Sequence, residues 1–169
     1  QTTDGGYILA GYKNNSPNRN DYWIAKLNNN ADIEWEKTYG GSSIDEAQSI
    51  QQTTDGGYIV AGSTFSHDGD VTNNNGGNDA WILKLTTNGD IEWQKTYGGS
   101  ADDYLNSIKQ TTDGGYIAVG GSNSNNGDIP NNQGYTDAWI IKIDTNGNIE
   151  WSKTFGGNAS DGLVDIQQT

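Results

Sequence analysis

The chain contains no cysteine and no methionine, and only two prolines. Without cysteine there is no disulfide, no thiolate chemistry and no cysteine-ligated zinc. This does not fix the compartment, because secreted bacterial proteins often lack cysteine too. Positive charge is scarce: nine Lys and Arg face 22 Asp and Glu, a net charge of −13. A duplex or an anionic membrane surface would repel such a chain, so nucleic acid and lipid headgroups are poor partners and cations plausible ones. No apolar run approaches the roughly 18 residues of a membrane span, which argues against membrane insertion. No signal peptide is visible, and the missing methionine reads as a mature or excised piece. Hydrophobic residues make up 31% of the chain. That is little for one packed core but enough for thin sheets that share faces with their neighbours. Disorder would leave few aromatics, whereas here tryptophan and tyrosine recur at fixed positions.

The dominant signal is self-similarity. Gln1-Thr2-Thr3-Asp4-Gly5-Gly6-Tyr7-Ile8 returns at Gln52 to Ile59 and again at Gln110 to Ile117, spacings of 51 and 58 residues. Gln168-Thr169 stands 58 beyond Gln110, where a fourth copy would begin. Each unit reads as four strands. In the second unit the first strand includes Ala47 to Thr53, and a Thr-Asp-Gly-Gly turn follows, its glycine supplying positive φ. The second strand, Tyr58 to Gly62, is apolar on both faces, as in a sheet covered on both sides. A polar loop, Ser63 to Asn78, leads to the third strand, Ala80 to Leu85. The turn Thr87 to Asp90 holds Asn-Gly, the strongest short hairpin signal. The fourth strand, Ile91 to Tyr97, alternates with a polar face of Glu92, Gln94 and Thr96, which puts it outermost.

Four antiparallel strands per unit of this length predict an all-β fold, a β-propeller of three four-stranded blades, half of a six-bladed ring. A β-solenoid, the rival, has shorter coils without paired hairpin turns. The units run 1–41 (an incomplete first blade), 42–99 and 100–157, with 158–169 the first strand of a further blade. Three blades are too few to close the usual ring. A homodimer lending strands across a two-fold axis, or further blades of a longer parent chain, would complete it.

The segment Asp79-Ala80-Trp81-Ile82-Leu83-Lys84-Leu85 through Trp93-Gln94-Lys95-Thr96-Tyr97-Gly98-Gly99 resembles the repeat blades of secreted and surface propeller proteins of Gram-negative bacteria, including many exported by type IX secretion. Its Leu-x-x-x-Gly-x-x-x-Trp hairpin is also similar to the tryptophan-docking blades of quinoprotein-like propellers. The resemblance covers nearly the whole chain and implies an extracellular or cell-surface location. No set of residues matches the cofactor contacts of quinone-dependent dehydrogenases, so it does not carry that chemistry over.

In a four-stranded meander the tight turns point to one face, and the long loops (Ser63 to Asn78, Ser122 to Thr136) to the other with the Gly-Gly connections. The long-loop face is acidic. Asp68, Asp70 and Asp79, with counterparts Asp128 and Asp137, are the candidate metal ligands, because hard cations take several oxygen ligands and these loops are rich in Asp and Asn. Calcium is the candidate ion. Against it, Asp and Asn equally cap turns by bonding the backbone. Asp45, Asp103 and Asp161 follow the Gly-Gly pairs. The first copy of the loop, Lys13 to Asn20, is seven residues shorter, lacks both loop aspartates and should hold no metal. The six tryptophans recur in register, which marks packing between blades more than sugar stacking. The lysines at 26, 84, 142, 37, 95 and 153 are expected to snorkel along blade edges. No nucleophile elbow or phosphate-cradling loop is present, and His67 is a lone loop histidine. No catalytic or cofactor-binding residue is assigned. The expected function is a non-catalytic extracellular binding or scaffolding module that contacts protein or glycan through the acidic face. The alternatives are a glycan-active enzyme with a site at the central channel, or a purely structural repeat of a long surface protein.

Overall fold

The computed structural model describes residues 1–16 and 19–169. Regular structure among them is entirely β: β1 (Tyr7–Ser16), β2 (Arg19–Leu27), β3 (Ile33–Tyr39), β4 (Asp45–Gln52), β5 (Tyr58–Thr64), β6 (Asp79–Leu85), β7 (Ile91–Tyr97), β8 (Asp103–Gln110), β9 (Tyr116–Ser122), β10 (Asp137–Ile143) and β11 (Ile149–Phe155). These form three antiparallel sheets, β1-β2-β3, β4-β5-β6-β7 and β8-β9-β10-β11, each a meander in chain order. The sheets do not close on one another.

Local chemistry sets the meander. At the first turn of the second sheet Thr53 N–H donates to Gly57 O and Gly56 N–H to Thr53 O. Asp55 Oδ1 locks the turn by accepting from Thr53 Oγ1 at 2.5 Å and Gly57 N–H at 2.9 Å. Beyond it, every residue of β6 is buried and β5 is buried at all but one position, whereas β7 is mostly half-buried. This is the gradient expected when the fourth strand forms the outer edge.

The sheets stack face to face with two apolar layers between them. Tyr22, Ile24 and Tyr39 of the first sheet meet Val60, Trp81, Leu83 and Leu85 of the second. From the opposite face of the second sheet, Ile59, Ala61, Ile82 and Tyr97 meet Leu105, Ile108, Trp139 and Ile141 of the third. Trp81 and Trp139 are fully buried, Trp23, Trp35 and Trp93 are half-buried, and Trp151 is 40% exposed. Trp35 and Trp93 pack edge-on against Tyr58 and Tyr116 of the following sheet, at ring distances of 5.8 and 6.1 Å.

Simple strand parity puts Trp93 on one face with both Ile91 and Tyr97, and this is corrected. The β6–β7 register shifts between Lys84 and Leu85, which pair with Trp93 and Ile91 respectively. The extra residue turns Ile91 toward the first sheet and Trp93, with Tyr97, toward the third. A bulge reverses side-chain facing without changing composition.

Residues 158–169 form no strand and lie along β8. Leu163 N–H donates to Gly120 O, Asn106 Nδ2 to Leu163 O at 2.7 Å and Ser107 Oγ to Asp165 Oδ1 at 2.5 Å. Thr112 N–H donates to Gln168 Oε1, as Thr54 N–H does to Gln110 and Thr3 N–H to Gln52.

Candidate functional site

Two sets of charged residues recur through the repeat, one at each end of the strands. The first centres on Lys26, Lys84 and Lys142. These do not snorkel: they are buried, and that expectation is corrected. Lys84 Nζ lies 2.9 Å from Asp55 and 2.8 Å from Glu92. Lys26 bridges Asp4 and Glu34, and Lys142 bridges Asp113 and Glu150, in the same way. Each ammonium also donates to the carbonyl of the next residue. The triad ties the Thr-Asp-Gly-Gly turn to the third and fourth strands, which is an architectural task. Glu92 is the residue left unpaired between Ile91 and Trp93, and from there its carboxylate reaches the lysine of the neighbouring strand.

The second set surrounds the Gly-Gly connections on the long-loop face. At the first junction Gly40 N–H donates to Asp70 Oδ2 at 3.1 Å, Ser42 N–H to Asp68 Oδ1 at 2.7 Å and Gly41 N–H to Asp45 Oδ2 at 2.9 Å. At the second, Gly98 N–H donates to Asp128 Oδ2 at 3.1 Å, Ser100 N–H to Asn126 Oδ1 at 2.9 Å and Gly99 N–H to Asp103 Oδ2 at 2.7 Å. Asp68 and Asn126 do the same work in successive copies. A neutral amide therefore suffices there, and capping accounts for Asp68.

The loop aspartates consequently separate. Asp68 and Asp70 reach back to the Gly40–Ser42 junction, whereas Asp79, from the same loop, sits at the next one, beside Gly98. A methyl placed on Gly98 would lie 2.6 Å from Asp103 Oδ2 and 2.8 Å from Asp79 Oδ1. Asp21 and Asp45 flank Gly40, and Asp137 and Asp161 flank Gly156, in the same manner. The structure thus groups Asp79 with Asp103 and Asp128, and Asp137 with Asp161. Among the described residues, no group of three acidic or histidine side chains is arranged to hold a metal ion by itself. His67 is exposed. The short first loop includes Pro17 and Asn18, which lie outside the described residues.

Burial and mutual repulsion govern these carboxyls. Asp79 is pushed up to about 7, first by burial, against the Asn75 N–H bond, with Asp103, Asp128 and Asp102 adding repulsion. Burial also raises Asp128, and Asp103 adds to it. Asp45 is raised by burial and by Asp21, against donors Thr64, Gly41 and Ser66. Asp103 accepts from Ser122 Oγ, and from Ser124 Oγ at 2.7 Å.

Sequence reasoning missed two exposed aromatics on the long loops, Phe65 and Tyr135. Their counterparts are Asn123 and Gly77, so neither belongs to the repeat pattern, and that departure was the signal available. Compared with models of protein families and with curated proteins, the chain matches none.

Proposed function

We propose that the three sheets are blades of a β-propeller, half of a six-bladed ring, and that the chain is a non-catalytic binding or scaffolding module outside the cell or at its surface. It meets a protein or glycan through the acidic long-loop face. The observation that carries this reading is a division of labour along the repeat. Residues common to the copies serve architecture: Trp81 and Trp139 are buried, Lys26, Lys84 and Lys142 hold turns, and Tyr39 and Tyr97 donate to Gly89 O and Gly147 O of the next sheet. The exposed aromatics Phe65 and Tyr135 depart from the repeat and stand on the long loops beside the aspartates. Aromatic rings offer the large, stiff contact area on which protein and sugar recognition rely.

The test is binding of the purified chain to a glycan array and to basic peptides, repeated with Phe65→Ser and Tyr135→Ser. The reading expects binding that weakens about tenfold or more in at least one variant, the loss of roughly 1.4 kcal/mol or more, with an unchanged melting temperature. Cleavage of a bound glycan, seen by mass spectrometry, would point to the enzyme instead. No binding on either panel would favour a purely structural repeat.

The ring is completed by a second copy of the chain, or by further blades of a longer parent chain that present the same surfaces. Trp35 meets Tyr58 and Trp93 meets Tyr116 inside the chain, and Trp151 and Tyr7 are the exposed members of the same two series. The last sheet of one chain and the first sheet of another therefore carry the two halves of an interface that the chain already makes twice.

A further inference from the structure

Among the described residues, three buried side-chain oxygens have no hydrogen-bond partner: Asn78 Oδ1, Asp79 Oδ1 and Asp137 Oδ1. Asp79 is 0% and Asp137 1% exposed. A carboxylate oxygen taken out of water without a donor is costly, so something must answer it. Asp79 and Asp137 occupy the same position in successive repeats, which makes this a property of the unit. The remaining member of the series is Asp21, and there the chain supplies its own cation: Arg19 Nε lies 3.4 Å from Asp21 Oδ1. The positions equivalent to Arg19 are Gly77 and Tyr135, and neither carries charge. The oxygen is matched where the repeat provides a positive group, and orphaned in both repeats that do not.

The surroundings of Asp79 sharpen this. Its Oδ1 and Asp103 Oδ2 both lie within 2.8 Å of the point a methyl on Gly98 would occupy, and the Gly98 N–H is held by Asp128 Oδ2. No ion pair among the described residues reaches Asp79, Asp103 or Asp128. Three carboxyl groups from three segments therefore meet at one glycine with no basic side chain paired to them.

We propose that a hard divalent cation binds at the Gly98 junction through Asp79 Oδ1 and Asp103, and that Asp137 and Asp161 form a weaker copy of the site at Gly156. Two carboxylates with a shell completed by water are enough for such an ion, so no third acidic ligand is needed. The Gly156 copy is weaker because Asp161 is exposed. The junction at Gly40 takes no ion, since Arg19 already serves Asp21. The site is independent of any protein or glycan partner.

The experiment is calcium titration of the chelator-treated chain, followed by calorimetry, thermal unfolding and amide chemical shifts. Binding to the native state must raise the melting temperature, by roughly 5–10 °C when calcium reaches a hundred times its dissociation constant. The expected result is that rise in the parent chain, with the largest shifts at the amides of Asn78, Asp79, Gly98 and Asp103. Asp79→Asn should lose most of the rise, and Asp70→Asn, at the arginine-served junction, should keep it. Should Asp79→Asn fail to fold, the shift map of the parent chain still decides the site. No heat and no rise in the parent would overturn the proposal. So would calcium shifts centred on Asp68 to Asp70, or an Asp79→Asn variant that responds like the parent.

Discussion

Lys84 is 3% exposed, while its partners Asp55 and Glu92 keep about half their side-chain surface in water. That asymmetry determines what each residue contributes. Either carboxylate can be removed and the ammonium still has the other. Removing the lysine deletes a buried group that bonds two strands and a turn at once. Lys84→Met should therefore cost about 1–2 kcal/mol, more than Asp55→Asn or Glu92→Gln, as read from urea midpoints. The same triads set the acid response. Burial alone would raise Asp55, but bonds from Thr53, Lys84 and Gly57 hold it at about 2. Bonds from Thr111, Lys142 and Gly115 hold Asp113 at about 2. Both folded values lie below the ordinary 3.8. Their contribution is therefore complete above the unfolded pKa and is lost as the pH falls toward about 2. The urea midpoint should drop over that window, and drop less in Lys84→Met. At the same scale, Tyr97→Phe removes a buried bond to Gly147 O and should cost about 1 kcal/mol.

At the scale of strands and turns, the β6–β7 turn shows how tightly neighbouring units are fitted. Gly89 has φ 78°, and a methyl there would stand 3.0 Å from the Trp35 ring and 3.1 Å from Tyr39 Oη. The first unit carries Ala31 at the equivalent position, at φ 65°. An L-residue pays for that left-handed backbone, so Ala31→Gly should raise stability by about 1 kcal/mol. Gly89→Ala should lower it by more, because the ring and the hydroxyl must also give way; paired thermal scans would check both. Most of this level was legible in the chain. The Thr-Asp-Gly-Gly and Asn-Gly turns, the apolar run Tyr58–Gly62 and the alternation of Ile91–Tyr97 mark strands and reversals directly. Two things were not legible. The bulge before Trp93 adds a residue without altering composition, so face assignment beyond it fails. The long loop spans two junctions, so aspartates adjacent in sequence, Asp70 and Asp79, end at different glycines, and the pairing of Asp79 with Asp103 emerges only when sheets stack. The buried lysines were hidden for a related reason. Their partners lie on the first turn and the fourth strand, and only the folded meander brings those to one point.

For the molecule as a whole, the two outer faces matter most. The first sheet exposes Tyr7, Leu9 and Ile33 on its outer face, and the last exposes Trp151 and Phe155 on its own. The equivalent positions within the chain are covered: Tyr58 and Tyr116 are buried, and Trp35 and Trp93 are half-buried against them. Apolar faces of this kind seek a partner. Phe155 stands where Tyr39 and Tyr97 donate to the carbonyls of Gly89 and Gly147. In the proposed two-copy ring its missing hydroxyl would leave room opposite Ala31, the one copy of that turn with a methyl. That fit is what the proposed closure by a second copy rests on. The mass of the chain in solution, measured by light scattering across a concentration series with the parent and Trp151→Glu, tests this directly. Closure by a second copy predicts twice the mass of one chain for the parent at micromolar concentration, and a folded single chain for Trp151→Glu. A parent that stays a single chain throughout the series would contradict it.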